Sequence, residues 1–251
     1  MNTVKQGKLT FTLINGETAY AVTACEKDAE EIVIPEKVNG LVVRKVEEYA
    51  FEDCKSLKQV TFPEPSEEAW IADEYLEEIG EYAFSGCISL KEVALPYGVR
   101  TVGRGAFYGC KALERASFDR AFVCGYAFSG CEKLVSVSPV SFVSEGAFRD
   151  CKSLKELPLA KGAREIDEDG FEHCEGLTEI VIPASVKRIG GLAFRGCYAL
   201  KKATFEAPDG WVWHCRYTGK DYPLDLSDPA RNAKSLGWAD FDDGVSSWRR
   251  Q

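Results

Sequence analysis

Histidine is scarce in this sequence: His173 and His214 are the only two, and a cysteine follows each of them. Neither histidine has a second ligand at the CxxC or HxxxH spacing of a zinc site, so no metal is predicted. The sequence also has no GxSxG, P-loop or GxGxxG motif in a suitable context. These absences argue against metal-dependent, nucleophilic and nucleotide-binding enzymes, and no cofactor or catalytic residue is predicted.

Long apolar stretches are missing as well. No run approaches the roughly 18 residues of a transmembrane helix, so no membrane insertion is predicted. The first residues, Met1 to Lys8, lack the apolar core of a signal peptide. This predicts a cytoplasmic protein, and the alternative is a secreted or cell-surface protein whose signal has been removed.

Positive charge is in the minority. The chain has 31 Lys and Arg residues against 40 Asp and Glu residues, which gives a formal net charge of −9. An acidic protein is repelled by phosphate backbones and by anionic lipid surfaces. The balance therefore argues against nucleic acid and anionic membranes as partners.

What the sequence does contain is a unit that occurs seven times. In each unit a Cys follows three residues after a Phe, a Leu follows three residues after the Cys, and a β-branched residue stands five before the Phe. The Phe column is Phe51, Phe84, Phe107, Phe128, Phe148, Phe171 and Phe194. The Cys column is Cys54, Cys87, Cys110, Cys131, Cys151, Cys174 and Cys197. The Leu column is Leu57, Leu90, Leu113, Leu134, Leu154, Leu177 and Leu200.

Successive Phe residues are 33, 23, 21, 20, 23 and 23 positions apart, and a period of about 20–29 residues is that of leucine-rich repeats. One such unit cannot bury its own apolar residues, so stacked units form a solenoid. After Leu90 the sequence predicts a strand with Val93 and Leu95 inward, ended by Pro96. The Phe-to-Leu segment predicts a single helical turn, and the residue before each Cys is expected at positive φ. We therefore predict an α/β repeat solenoid, a right-handed coil of seven leucine-rich repeats with a cap at each end.

The units resemble the BspA-like, or treponemal-type, leucine-rich repeats. The stretches that carry the resemblance are residues 186–200 (VKRIGGLAFRGCYAL), 18–22 (TAYAV), 32–35 (IVIP) and 38–43 (VNGLVV). It covers roughly residues 9–205. Members of this family are often surface or secreted proteins that bind host or matrix proteins. The resemblance thus implies a non-catalytic protein–protein interaction module, a scaffold or an adhesin-like binder.

The ten cysteines do not read as a disulfide framework. Seven of them occupy one repeat column, where Cys serves as a small buried hydrophobe. We predict free thiols in a ladder; disulfides between neighbouring ladder cysteines are the alternative.

The chain divides into three parts. Residues 1–44 are predicted as a β-hairpin cap with Asn15-Gly16 at its turn. Residues 45–205 hold the seven repeats. Residues 206–251 contain four of the five tryptophans and are predicted as a Trp-rich cap, with a helix that starts at Asp228-Pro229. This cap favours a monomer, and a dimer interface is the alternative.

An acidic insertion over residues 64–78 separates the first two repeats. It has seven acidic residues, no basic residue, and the aromatic residues Trp70 and Tyr75. Insertions in solenoids emerge as loops near binding faces. We predict a protein or peptide partner, of basic character, that contacts Trp70 and Tyr75. A solvated loop with Trp70 packed on the solenoid is the alternative.

The outward positions of the predicted strands complete the candidate site. Gln59, Glu92 and Arg115 occupy equivalent outward positions in the first three repeats. A partner is expected on this N-terminal strand face. A different hypothesis is a carbohydrate-active or hydrolytic enzyme that uses paired carboxylates near Trp70, namely Glu67, Glu68, Asp73 and Glu74.

Overall fold

A computed structural model describes residues 3–64, 66–67, 75–156, 159–215, 217–237 and 247–250. The regular secondary structure of these residues consists almost wholly of short strands, which turns connect. These are β1 (Thr3–Gln6), β2 (Leu9–Ile14), β3 (Ala19–Cys25), β4 (Glu31–Val33), β5 (Lys37–Val38), β6 (Leu41–Val46), β7 (Gln59–Thr61), β8 (Glu78–Ile79), β9 (Glu92–Ala94), β10 (Thr101–Val102), β11 (Arg115–Ser117), β12 (Phe122–Val123), β13 (Ser136–Val137), β14 (Glu165–Ile166), β15 (Glu179–Ile182), β16 (Arg188–Ile189), β17 (Lys202–Phe205), β18 (Trp211–Cys215), β19 (Lys220–Pro223) and β20 (Ser247–Arg250). Helix α1 spans Pro229–Gly237.

The repeats contribute short strands, or single bridges in the case of the fifth repeat, to two parallel ladders. The first ladder contains the strands after the repeat Leu, with β4 paired to β7, β9 to β11, β11 to β13, and β15 to β17. The second ladder contains the strands before the repeat Phe, in the order β3, β6, β8, β10 and β12. A bridge from Val143 to Ile166 carries it on to β14 and β16. The chain is thus a solenoid, as predicted.

The seven repeat Phe side chains form one stack inside it. Neighbouring ring centroids along the stack lie 4.5, 5.2, 5.3, 5.7, 5.7 and 5.2 Å apart. Every one of these rings is at most 1% exposed. Val93 and Leu95 are buried as well, at 1% and 6% exposure. The predicted inward rows are therefore confirmed.

The predicted helical turn between Phe and Leu is wrong. Each segment is a series of tight turns in which the Cys N–H bonds to the Phe carbonyl three residues earlier, as in Cys87 to Phe84 at 3.2 Å. Other amides bond across repeats instead: Phe84 N–H donates to Ala106 O at 2.7 Å and Gly86 N–H to Tyr108 O at 2.8 Å. An α-helix would need those amides for its own i→i−4 bonds. Helix α1 belongs to the C-terminal segment and not to a repeat, so the α/β label is loose.

The backbone before each Cys has the expected left-handed conformation. All seven residues in this slot have φ between 54° and 76°; they are Asp53, Gly86, Gly109, Gly130, Asp150, His173 and Gly196. This conformation turns the chain between the Phe and the Leu and prevents a helix from continuing.

The cysteine column forms a ladder of free, buried thiols. From the second repeat onward each thiol donates to the Phe carbonyl of the preceding repeat, for example Cys110 to Phe84 at 3.1 Å and Cys131 to Phe107 at 3.2 Å. Burial raises the pKa of these thiols, to about 12 at Cys197. Each thiol thus fills space in the core and satisfies a carbonyl of its neighbour.

Antiparallel strands begin the solenoid. β1 pairs with β2, and β2 pairs with β3 across a turn in which Asn15 and Gly16 both have positive φ. β3 then joins the second ladder through Val22 opposite Val46. β4 joins the first ladder through Ile32 opposite Val60. Residues 19–34 therefore supply one further turn of the solenoid that lacks the Phe and Cys of a repeat.

The C-terminal part covers the last repeat. Phe205 contacts Trp211 edge-on at 5.2 Å and Trp248 at 6.1 Å. Helix α1 starts where predicted, since the Asp228 carboxylate accepts from the amides of Ala230 and Arg231 at 2.9 and 3.2 Å. Trp238 lies outside the described residues. Within the described part of the chain, no helix is both long and apolar enough to cross a bilayer.

Candidate protein-binding face

Three predicted site residues meet on the first ladder. Along β7, β9 and β11 side chains alternate, so Val60, Val93 and Ala116 point into the core. Gln59, Glu92 and Arg115 precede them and are exposed. Because adjacent parallel strands are in register, Arg115 lies directly opposite Glu92. The sequence pattern predicted this row because strand side chains alternate between faces.

These three residues line an open groove of about 450 Å³. We call it the strand groove; its lining is Lys58, Gln59, Val60, Thr61, Phe62, Lys91, Glu92, Ala94 and Arg115. The small side chains of Thr61 and Ala94 also line it, beside the charged row. An extended peptide could lie along such a row of alternating side chains and contact it over several repeats.

The groove carries charges of both signs. The Arg115 guanidinium donates to Glu92 Oε2 from Nε at 3.1 Å and from a terminal nitrogen at 2.5 Å, and this hydrogen bond raises the pKa of Arg115. Lys58 donates to Glu30 at 2.7 Å. With Lys91 added, the lining is not acidic. The expectation of a basic partner therefore rests on the insertion and finds no basis in the groove.

Tyr75 does not line this groove. Its ring lies against Gly98, where an added Cβ would approach a ring carbon to 2.2 Å. Its hydroxyl accepts from Arg100 at 3.3 Å. Tyr75 also borders a small cavity with Pro63 and Pro96, beyond the ends of β7 and β9. Trp70 lies outside the described residues.

Two of the seven insertion acids are already paired. Glu77 bonds to Arg44, and Glu78 lies 3.2 Å from Lys45. Glu78 belongs to β8, which pairs with β6 in the regular second ladder. Glu78 thus lies in the regular second ladder, and the carboxylates of Glu77 and Glu78 are paired with cations of the first repeat.

The described residues contain no group of three His, Cys, Asp or Glu side chains that could hold a metal ion. His214 Nδ1 lies 2.7 Å from Asp221, and His173 Nδ1 lies 3.3 Å from Asp150, so each histidine has a carboxylate partner rather than a nucleophile. Of the carboxylates in the enzyme hypothesis, Glu68, Asp73 and Glu74 lie outside the described residues.

Sequence reasoning missed two partly exposed aromatic pairs on other rows. Phe122 and Phe142 stack at 5.7 Å on the second ladder, and Phe122 is 50% exposed. Tyr49 and Tyr82 stack at 5.6 Å. An alignment of the repeat units could have revealed both pairs. Phe122 and Phe142 each stand six residues before a repeat Phe, and Tyr49 and Tyr82 each stand two residues before one.

Comparison with known families agrees with this architecture. The family model described as "BspA type Leucine rich repeat region" matches in six copies over residues 18–69, 66–141 and 126–208. These matches extend from the N-terminal strands to the last repeat. Among curated proteins, no relative matches the sequence.

Solved structures that are similar over most of the chain include two bacterial leucine-rich repeat proteins. A leucine-rich cell surface protein from Faecalibacterium prausnitzii is 27% identical with a TM-score of 0.69, and the alignment covers 91% of this chain. A leucine-rich repeat protein from T. pallidum is 29% identical with a TM-score of 0.67, over 79% of this chain and 91% of its own. The chain spans 62% of the F. prausnitzii protein.

Proposed function

Because this chain belongs to the family of BspA-type leucine-rich repeat proteins, we propose that it is a non-catalytic module that binds a protein or peptide partner in the strand groove. The observation that supports this most is the convergence of Gln59, Glu92 and Arg115 on one open groove. Repeat solenoids bind partners along such rows because equivalent positions recur at one spacing.

The groove suits a peptide that carries charged groups of both signs. Glu92 and Arg115 are more than half exposed and already paired with each other, so a partner can exchange bonds with them at little desolvation cost. Such contacts determine orientation and specificity more than affinity. Apolar contacts with Phe62 and Ala94 in the lining would supply the rest of the binding free energy.

We place Trp70 and Tyr75 as a second contact. The insertion that carries them is the one large departure from the repeat spacing, 33 residues against 20–23. Tyr75 is held by Gly98 and Arg100, so it offers a fixed rather than a mobile ring. Trp70→Ala should weaken capture of the partner, and unchanged capture would remove the insertion from the site.

We also propose a cell-surface or secreted location. The cytoplasmic expectation finds no support among the similar proteins, one of which is described as a cell surface protein. The alternative expectation from the sequence, a secreted or cell-surface protein, therefore fits the similar proteins better. Detection by an antibody on intact cells of the native host, with protease shaving as the second readout, would test it.

A charge swap tests the groove. The double variant Glu92→Arg with Arg115→Glu keeps the net charge and the internal pair but reverses the pattern. The matched control is Glu179→Lys with Lys202→Glu, which swaps the equivalent pair on β15 and β17, 3.6 Å apart. Partners captured from host material by the wild type would be identified, and their affinities would then be measured with each purified variant.

Loss of binding by about tenfold in the groove variant, with the control unchanged, is the expected result. Equal affinity of all three proteins would place the partner elsewhere. A loss that the control shares would make the effect one of general charge rather than of this groove.

A further inference from the structure

The row of outward residues seven positions before each repeat Phe changes character along the second ladder. In the first three repeats it reads Arg44, Glu77, Arg100, so opposite charges alternate. In the last two it reads Arg164, Lys187. Lys187 N–H donates to Arg164 O at 2.9 Å, which places the two cations side by side on adjacent chain segments.

The C-terminal cap adds a third cation to this row. Arg250 N–H donates to Lys187 O at 2.9 Å, so its strand, β20, continues the row. The Arg250 guanidinium donates to the carbonyls of Ala184 at 3.2 Å and Asp209 at 3.1 Å. Carbonyl acceptors fix the position of a guanidinium and leave its positive charge in place. We call Arg164, Lys187 and Arg250 the basic row.

No carboxylate among the described residues forms an ion pair with the basic row. The nearest acids in sequence, Glu165 and Asp167, are bound by Arg188, with Asp167 at 2.7 Å. Arg164 and Lys187 are both exposed. The exposed pair borders an open depression whose lining also includes Gly162, Ser185 and the ion pair of Arg188 with Glu165.

Side-by-side like charges on paired strands are unfavourable. The chain avoids them in its first repeats, where Arg44 binds Glu77, and keeps them here although its net charge is −9. A local rule that is broken without compensation inside the fold marks a position used for something else. An anion between the cations would remove the repulsion and gain charge-assisted hydrogen bonds.

We propose that the basic row binds a ligand that carries phosphate or sulfate groups. Arginine and lysine side chains together match the tetrahedral oxyanion, with forked contacts from the guanidinium and a point charge from the ammonium. The flanking acids and the overall negative charge disfavour a long polyanion such as nucleic acid. The ligand is therefore a short one with more than one oxyanion group, on a different ladder from the strand groove.

Calorimetric titration with inorganic tripolyphosphate and, separately, with sucrose octasulfate tests the proposal. The variant is Arg164→Gln with Lys187→Gln. The control is Lys201→Gln with Lys234→Gln, which removes the same charge from two exposed lysines outside the row. The variant should bind about tenfold more weakly or not at all, since it loses charge-assisted hydrogen bonds, and the control should match the wild type.

Thermal melts give an independent readout. Tripolyphosphate should raise the melting temperature of the wild type and the control but not that of the variant, because a ligand stabilises only the protein that binds it. The variant without ligand should melt no lower than the wild type, since repulsion has been removed. Whichever of the two probes, tripolyphosphate or sucrose octasulfate, has the larger effect on the wild type indicates whether the ligand carries phosphate or sulfate groups.

Saturable binding that is lost with the row and kept in the control supports the proposal. No saturable binding of either probe overturns it. Equal weakening in the variant and the control also overturns it, because the interaction would then be a general response to net charge.

Discussion

At the scale of single residues, the repeat Phe carries the core. Each inner ring lies against the ring of the unit before and the ring of the unit after, nearly parallel, as Phe107 and Phe128 do at 5.3 Å and 5°. Offset stacks of this kind add to the free energy of burying the ring. The loss of one ring from the middle of the stack therefore leaves a cavity, and the ring on each side of it loses a stacking partner.

Phe128→Ala should lower the free energy of unfolding by about 3–5 kcal/mol, because a fully buried ring is replaced by a methyl group. Phe122→Ala is the matched control, since Phe122 belongs to the same repeat but is 50% exposed; its cost should be about 1 kcal/mol or less. Denaturant melts would measure both. A Phe128 variant within about 1 kcal/mol of the wild type would show that the stack is not the core.

At the scale of the element, the corner between Phe and Leu decides how units stack. Its left-handed residue turns the backbone so that alternate amides face the next unit. Gly109 N–H, for example, donates to Ser129 O at 2.8 Å. In a helical turn those amides would form hydrogen bonds within the turn. The carbonyls of the neighbouring unit would then have no donors.

Gly109→Ala isolates the cost of that conformation. Gly109 has φ of 68°, yet an added Cβ would meet no atom within 4 Å, so strain is the sole penalty, about 1–2 kcal/mol. Gly162→Ala is the control, because that site is equally open and its φ is not positive; its stability should change by about 0.5 kcal/mol or less. Equal effects of the two substitutions in chemical denaturation would contradict this explanation of the corner.

At the scale of the whole molecule, a stack of units has two open ends. β1, β2 and β3 cover the first end, while Trp211, Trp248 and α1 cover the last. The Asn232 side chain fastens α1 to the last repeat through the Ala203 carbonyl at 3.2 Å. Terminal units of repeat proteins need such covers for solubility.

Removal of residues 206–251 should therefore expose Phe205 and the apolar face of the last repeat. We expect the shortened protein to self-associate and to melt at a lower temperature than the full chain. Light scattering coupled to size-exclusion chromatography would measure the association. Tyr217→Ser in the full chain is the control, since Tyr217 is 76% exposed and should have no effect. A monomeric shortened protein of unchanged stability would show that this segment is not a cap.

The row pattern of the candidate site was predictable, but its surroundings were not. Gln59, Glu92 and Arg115 follow from strand alternation, which needs no long-range information. The sequence could not show that Tyr75 packs on Gly98, away from the groove, or that Arg44 and Lys45 neutralise Glu77 and Glu78. Those contacts join residues from different repeats.

The sequence by itself determined the repeat, its inward Phe, Cys and Leu columns and its left-handed slot, because each of these depends on a residue type at a fixed spacing. Only the tertiary structure decided how the corners are bonded, what the thiols donate to and which charges lie together. Apolar spacing of three and four residues suits a helix and a run of turns equally. The choice depends on the carbonyls of the next unit, and the basic row appears only when Arg164, Lys187 and Arg250 are brought side by side.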